Sequence, residues 1–185
     1  MKIAVSGAHS TGKTTFLKAV RLRLDALNVD YQLVPDLALS CPLPILFRHT
    51  PESALWIVAR GISEEISAIS KSTLTLIDRP VIDAWAYLMA SNHEYGNKDS
   101  PVLRTLVNSI ESWVATYDIV YRTVINEGIP IDVKLGRYGD AIYRSKVGDC
   151  IEAACQRFTV VSRPLLSSDT SSEVDWLVAE IQSND

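Results

Sequence analysis

The 185 residues are 47% apolar and 22% charged and carry a net charge of -4, the profile of an ordinary globular chain that can bury a full core as one domain over 1–185. The acidic balance argues against a protein that coats nucleic acid indiscriminately, and no apolar run is long enough to span a bilayer. The N-terminus leads straight into an apolar, strand-like stretch with no room for a signal peptide, so the expected location is the cytoplasm.

Three cysteines, Cys41, Cys150 and Cys155, include no C-x-x-C pair, and His9, His49 and His93 have no metal-ligand spacing. Neither a disulfide framework nor a zinc site is expected. The first strand, around Ile3-Ala4-Val5, runs into Gly7-Ala8-His9-Ser10-Thr11-Gly12-Lys13-Thr14, which fits G-x-x-x-x-G-K-[ST] at every fixed position. Glycines let the backbone turn tightly and aim N–H groups at one point, and the following helix adds the positive end of its dipole. Gly7, His9, Ser10, Thr11, Gly12, Lys13, Thr14 and Thr15 are therefore the expected nucleotide cradle. Lys13 is assigned to the β- and γ-phosphates, and the Thr14 hydroxyl to Mg²⁺.

Phe16, Leu17, Val20, Leu24 and Leu27 then recur at helical spacing. A short strand, Tyr31 to Val34, delivers Asp36 past Pro35. A long helix starts near Pro51-Glu52, with Leu55, Val58, Ile62, Ile66 and Ile69 as its expected inner stripe. Trp56 and Arg60, one turn apart, are either a cleft-facing pair that stacks a ring and meets an anion or a core-flanking Trp beside a solvated Arg. Leu74 to Ile77 reads as a buried strand ending at Asp78, the apolar-run-then-Asp pattern of a Walker B acid able to hold Mg²⁺.

Pro80 starts a helix over Val81 to Ala90, and another spans Pro101 to Thr116. A strand follows over Asp118 to Val124, and Asn126 to Arg137 is irregular. Tyr138 to Gln156 is helical, with Ile142, Val147, Ile151 and Ala154 expected inward and Arg137, Asp140 and Arg144 sharing one face. Phe158 to Val161 is the expected last strand, closed by Arg163-Pro164, before a helix over Glu173 to Ile181. Strands alternating with helices predict a doubly wound α/β domain with helices on both faces of a mainly parallel sheet. Ligands of such sheets gather at the carboxyl ends of the strands, where Gly7, Asp36 and Asp78 lie.

These residues resemble a P-loop nucleoside and nucleotide kinase, and within that group the ATPase/kinase family that includes the ribosylnicotinamide kinases. Ser10-Thr11-Gly12-Lys13-Thr14-Thr15 is similar to that family's S-T-G-K-T-T. Val34-Pro35-Asp36 resembles its V-P-E, with Asp in place of Glu. Asp78-Arg79, followed by Asp83 and Tyr87, resembles its D-R segment, and Arg137 and Arg144 resemble the arginines of its lid. The resemblance implies strand order 2-3-1-4-5, a lid over about 126–146 and an adenine pocket around Arg163-Pro164.

It further implies ATP and Mg²⁺ as cofactors, with Lys13, Mg²⁺, Arg137 and Arg144 spreading charge on the transferred group, Asp78 on the metal and Arg79 beside it as a further catalytic candidate. Asp36 is then a general base for a hydroxyl acceptor, or else a cap or a ligand to a Mg²⁺-bound water. Arg79, Arg60 and Arg48 are candidates to hold a phosphate acceptor, with Arg79 alternatively a partner of Asp83. The leading expectation is a kinase acting on a nucleoside or nucleotide, foremost a deoxynucleoside monophosphate. A second is a kinase of a hydroxymethylated pyrimidine within DNA, with Trp56, Trp85 and the loop around His93 serving a flipped base. A third, from another class, is a nucleotide-dependent switch ATPase. No membrane partner is expected, and a homodimer is left open.

Overall fold

The computed structural model describes residues 1–91, 100–128, 130, 131 and 139–183. Five strands, β1 (Lys2–Ser6), β2 (Gln32–Val34), β3 (Thr75–Asp78), β4 (Ile119–Thr123) and β5 (Arg163–Leu165), form one sheet in the order β2-β3-β1-β4-β5. Every pairing is parallel. The register sets Val5 beside Asp78 and Ser6 beside Arg122, so β1, β3 and β4 end at one edge. Each crossover is helical, through α1 (Lys13–Ala26), α2 (Pro51–Ile69), α3 (Val81–Ala90), α4 (Pro101–Val114) and α5 (Ala141–Arg157), and α6 (Thr170–Ser183) follows the last strand.

A parallel sheet must be covered on both faces, and here the alternation of β1 splits the core. Ile3 and Val5 pack with Phe16, Leu17, Val20 and Leu24 of α1 and with Leu177 and Ile181 of α6. Ala4 points the other way, with Ala68 of α2. Beyond it the larger cluster joins α2, α3, α4 and α5 through Val58, Ile82, Leu88, Leu106 and Ile151. The helix starts follow local chemistry. Thr50 and Ser53 form a reciprocal capping box before Pro51, Ser100 caps α4, and the Asp140 carboxylate accepts the Ile142 and Tyr143 N–H groups at 2.8 and 3.2 Å. Asp140 is therefore the cap of α5, not a partner on the Arg144 face.

Four expectations are corrected. The last strand is Arg163–Leu165, not Phe158 to Val161. Phe158 caps the end of α5, Thr159 turns at φ 54°, and Val161 is 92% exposed. Pro164, read as a stop, lies inside β5 because that strand is the sheet edge, where a missing donor costs no ladder bond. Ile142, expected inward, is 82% exposed because it belongs to the first turn of α5, ahead of the buried stretch. The inner stripe of α2 is shifted, since Ile66 and Ile69 are exposed while Glu65 and Ala68 are buried. Periodicity alone ranked a carboxylate as an outward residue, and three partners, described below, make it an inward one.

Candidate functional site

Where β1 ends, the chain leaves the sheet at Gly7 with φ 152° and reaches α1 through Gly12 at φ 93°. A side chain at Gly7 is impossible there for a second reason: a Cβ would lie 1.8 Å from Thr123 Oγ1. Thr123, at the end of β4, shares a 2.6 Å hydrogen bond with the Thr11 hydroxyl and donates to the Ser6 carbonyl. The loop is thus braced from behind by the neighbouring strand. Lys13 Nζ lies within the loop and donates to the carbonyls of Gly7 at 2.8 Å and Ala8 at 2.5 Å. Burial, with the Arg79 cation adding to it, lowers the Lys13 ammonium to about 7, against the opposing pull of Asp83, Asp78 and Asp36.

A cleft of about 630 Å³ opens in front of this loop. It is lined by residues 9–15 of the loop, by Asp78 and Arg79 at the end of β3 and by Val34 to Leu39 at and after the end of β2. The far floor is built from Ile45, Leu46 and His49 ahead of α2, Ile57, Gly61 and Glu65 along α2, and Ala84 and Tyr87 on α3. Leu165, Leu166, Ser167 and Thr170 close the side after β5. Ile57, Gly61 and Glu65 are spaced i, i+4, i+8, so one stripe of α2 faces the cleft. Trp56 and Arg60, the expected cleft pair, lie one residue off that stripe, and Arg60 pairs with Glu64 on the surface.

At the centre stands a network around one cation. Arg79 sits just after β3 with a backbone φ of 76°, a conformation that costs a non-glycine residue about 1–3 kcal/mol and is held only when its surroundings over-determine it. Its Nε donates to Asp36 Oδ2 at 2.6 Å, and its NH1 donates to Asp83 Oδ2 at 3.1 Å and to the Gly7 carbonyl at 3.0 Å. The guanidinium also lies 5.0 Å from the centre of the Tyr87 ring.

Asp83 is pinned in turn, accepting from the Ser6 hydroxyl and, at 3.3 Å, from the Gly7 N–H. Burial pushes the Asp83 carboxyl up from the ordinary carboxylate value, with Arg79 and Lys13 opposing. For Asp36, burial acts in the same upward direction, but Arg79 and the Ala38 N–H at 3.0 Å outweigh it and hold the carboxyl below its usual value.

Two buried polar groups complete the floor. Glu65 accepts from Trp113 Nε1 at 2.7 Å and Tyr117 Oη at 3.0 Å and pairs with Lys2 Nζ at 2.8 Å, while the Tyr117 hydroxyl accepts the Val81 N–H. This anchors α2 to β1, α4 and the start of α3, the satisfied arrangement a buried carboxylate requires. His49 is 2% exposed, and neither ring nitrogen has a hydrogen-bond partner. Burial lowers its imidazole to about 4, so it is neutral at physiological pH.

The sequence-predicted residues divide accordingly. His9, Ser10, Thr11, Gly12, Lys13, Thr14, Thr15, Asp36, Asp78 and Arg79 all line the one cleft, and Gly7 meets it through the carbonyl that Lys13 and Arg79 share. Arg163, expected at an adenine pocket, is held instead by both Glu173 oxygens at 2.6 and 3.0 Å and lies 3.9 Å over the Trp176 ring. The residues beside the cleft after β5 are Leu165 to Thr170.

Arg144 is buried in α5 and is not among the residues lining the cleft. Arg137, the other expected-lid residues at 129 and 132–138, and His93 lie outside the described residues. Trp85 meets Phe158 edge-on at 5.7 Å and takes Arg157 at 5.0 Å over its ring, so it belongs to the core and not to a base pocket. Sequence reading missed Thr123, Glu65 and His49; of these only Thr123, at the carboxyl end of a strand, carried a positional signal.

The fold is that of solved kinases. A deoxyadenosine kinase from M. mycoides, determined with its products dCMP and a flexible dCDP, superposes with a TM-score of 0.62 at 14% identity over 99% of this chain and 100% of its own. Deoxyadenosine kinase from M. mycoides with dATP bound gives 0.63 at 13% identity over 98% and 100%. No family model matches the chain, and no curated protein matches it in sequence. At these identities the likeness is one of fold, and the chemistry has to be argued from the residues.

Thr14 and Asp78 line the same cleft and offer a hydroxyl and a carboxylate oxygen. Hard oxygen donors, few in number, are what Mg²⁺ takes from a protein when phosphates and water supply the rest. The donor set therefore fits the ion that the loop sequence implies.

Proposed function

We propose that this protein is a phosphotransferase that moves the γ-phosphoryl group of ATP, with Mg²⁺, to a hydroxyl of a nucleoside. The observation that carries the reading is the position of Asp36: a carboxylate lining the same cleft as the phosphate loop and oriented by Arg79 at 2.6 Å. In this reading the acceptor oxygen attacks the γ-phosphorus while the bond to the departing ADP oxygen breaks, and the hydroxyl proton passes to Asp36. Mg²⁺, which Thr14 and Asp78 would hold, would supply charge that neutralises the phosphates. Loop N–H groups and Lys13 orient the phosphates.

The choice of a nucleoside over the deoxynucleoside monophosphate expected from sequence rests on the cations. Among the described lysines and arginines, only Lys13 and Arg79 line the cleft. Lys13 belongs to the donor loop, and Arg79 is already divided between two carboxylates. Arg48 and Arg60, the other candidates for an acceptor phosphate, are exposed and outside the lining. The neighbours of known structure, kinases solved with deoxynucleotides bound, support the same class.

The test is transfer of labelled γ-phosphate to a panel of nucleosides and nucleoside monophosphates by the native protein and by Asp36→Asn. Nucleosides are expected to be phosphorylated, with kcat falling about 10²–10⁴-fold in the variant, the usual weight of a general base. Transfer only to monophosphates, untouched by Asp36→Asn, moves the acceptor to a phosphate. ATP hydrolysis that ignores every acceptor and responds to a partner protein overturns the reading in favour of a switch ATPase.

A further inference from the structure

The Asp36–Arg79–Asp83 arrangement presents a difficulty for the reaction just described. When Asp36 accepts the hydroxyl proton it becomes neutral, and the ion pair with Arg79 is lost at that moment. A largely buried guanidinium left with no counter-charge is destabilised by several kcal/mol. Unless something else neutralises Arg79, that cost opposes the proton transfer.

The two carboxylates on Arg79 are not equivalent. Asp36 has 32% of its side chain exposed to the cleft and meets Nε. Asp83 has 3% exposed and meets NH1, while the Ser6 hydroxyl and the Gly7 N–H hold its two oxygens. NH1 is fixed a second time by the Gly7 carbonyl. One edge of the guanidinium is thus locked into the start of the phosphate loop, and the other touches a group that faces the acceptor.

We propose that Asp83 is a positioning residue for phosphoryl transfer: it is the standing counter-ion that keeps Arg79 paired and in place while Asp36 gives up its charge to the acceptor proton. This rests on the nucleoside kinase reading. It extends that reading by assigning a part in the turnover step to the Asp83 carboxylate, which borders the cleft with 3% of its side chain exposed. It also gives the network a direction, because Asp83 fixes the Gly7 peptide and Arg79 together and so ties the donor loop to the group beside the acceptor.

The experiment is a double-mutant cycle with Asp83→Asn and Asp36→Asn, measured as kcat and KM with ATP and a panel of ribo- and deoxyribonucleosides. In the native background Asp83→Asn is expected to lower kcat on the order of 10²-fold, with KM for ATP and for the nucleoside within about threefold. In the Asp36→Asn background, where residue 36 has no charge to surrender, the same change is expected to cost less than about threefold. Equal losses in both backgrounds, or a loss carried by KM for ATP, would mean that Asp83 only holds the loop together and would overturn the proposal. If Asp83→Asn does not fold, Asp83→Ser, which keeps a small oxygen acceptor near the Gly7 N–H, takes its place in the cycle under the same criteria. Native protein that phosphorylates no nucleoside overturns the kinase reading itself, whereas native activity with additive mutants overturns only the role of Asp83.

Discussion

In the reaction proposed above, the donor side of the cleft is one unbroken stretch, residues 9–15, whereas the acceptor side gathers Asp36, His49, Ile57, Glu65, Arg79 and Tyr87 from β2 to α3. The first is made largely of backbone: glycine conformations, amide groups and a helix start. The second is made of side chains whose positions depend on one another, as the shared guanidinium of Arg79 shows. A backbone site is set by local conformational rules and so has a sequence signature. A side-chain site of this kind is set by packing and charge balance among segments far apart in the chain, and it leaves only isolated traces in the sequence.

That contrast yields graded tests. The largest effect is expected for Lys13→Ala, because one donor to the developing charge in a water-poor site is worth about 10²–10³-fold in rate. Steady-state kinetics should show the loss in kcat, with acceptor binding, followed by calorimetry, little changed. A comparable fall in acceptor affinity would break the division into two sides.

Gly7→Ala comes next and acts on stability first. The added Cβ would meet Thr123 Oγ1 at 1.8 Å at a backbone φ of 152°, and overpacking of this kind costs about 1–3 kcal/mol. The expected result is a lower urea midpoint together with weaker ATP binding. An unchanged midpoint would mean that β4 does not brace the loop.

The smallest effect belongs to the acceptor floor and is read through pH. His49 titrates at about 4 in the folded chain against 6.5 for a free imidazole. Above 6.5 the group is neutral in both states and contributes no pH dependence. As pH falls from 6.5 to 4 the unfolded chain takes up a proton that the folded chain does not, so stability falls, by at most about 3 kcal/mol. His49→Leu removes two unpartnered nitrogens and is expected to be near neutral at pH 7 and to lose less stability than the native protein at pH 4.5. Equal pH dependence in urea titrations of the two proteins would show that His49 is not the group responsible.

Much of the architecture was readable from residues alone. The five strand and helix alternations gave the correct strand order through the resemblance, and Val81 to Ala90 was placed with its observed bounds. The miss at β5 has a physical cause: Phe158-Thr159-Val160-Val161 has strand composition, but the end of α5 and a left-handed turn at Thr159 consume it. Pro164 disguised the true strand, since the prohibition on proline applies to inner strands and β5 has a free edge. Arg163 misled for a related reason. An arginine at the end of a sheet suggests an anion, and only the fold brings Glu173 and Trp176 against it.

The sequence by itself determined the phosphate loop and the alternation that makes a parallel sheet, because both follow from properties of consecutive residues: glycine freedom, apolar periodicity and caps. It also named Asp36, Asp78 and Arg79, each standing just past an apolar run. Only the tertiary structure decided which stripe of α2 faces the cleft and that Glu65 is buried. It alone joined the Arg79–Asp83 pair, which the sequence had offered as an alternative, to Gly7, making one cation the link between the two sides. Those outcomes depend on the balance of buried charges between elements, which no run of neighbouring residues encodes.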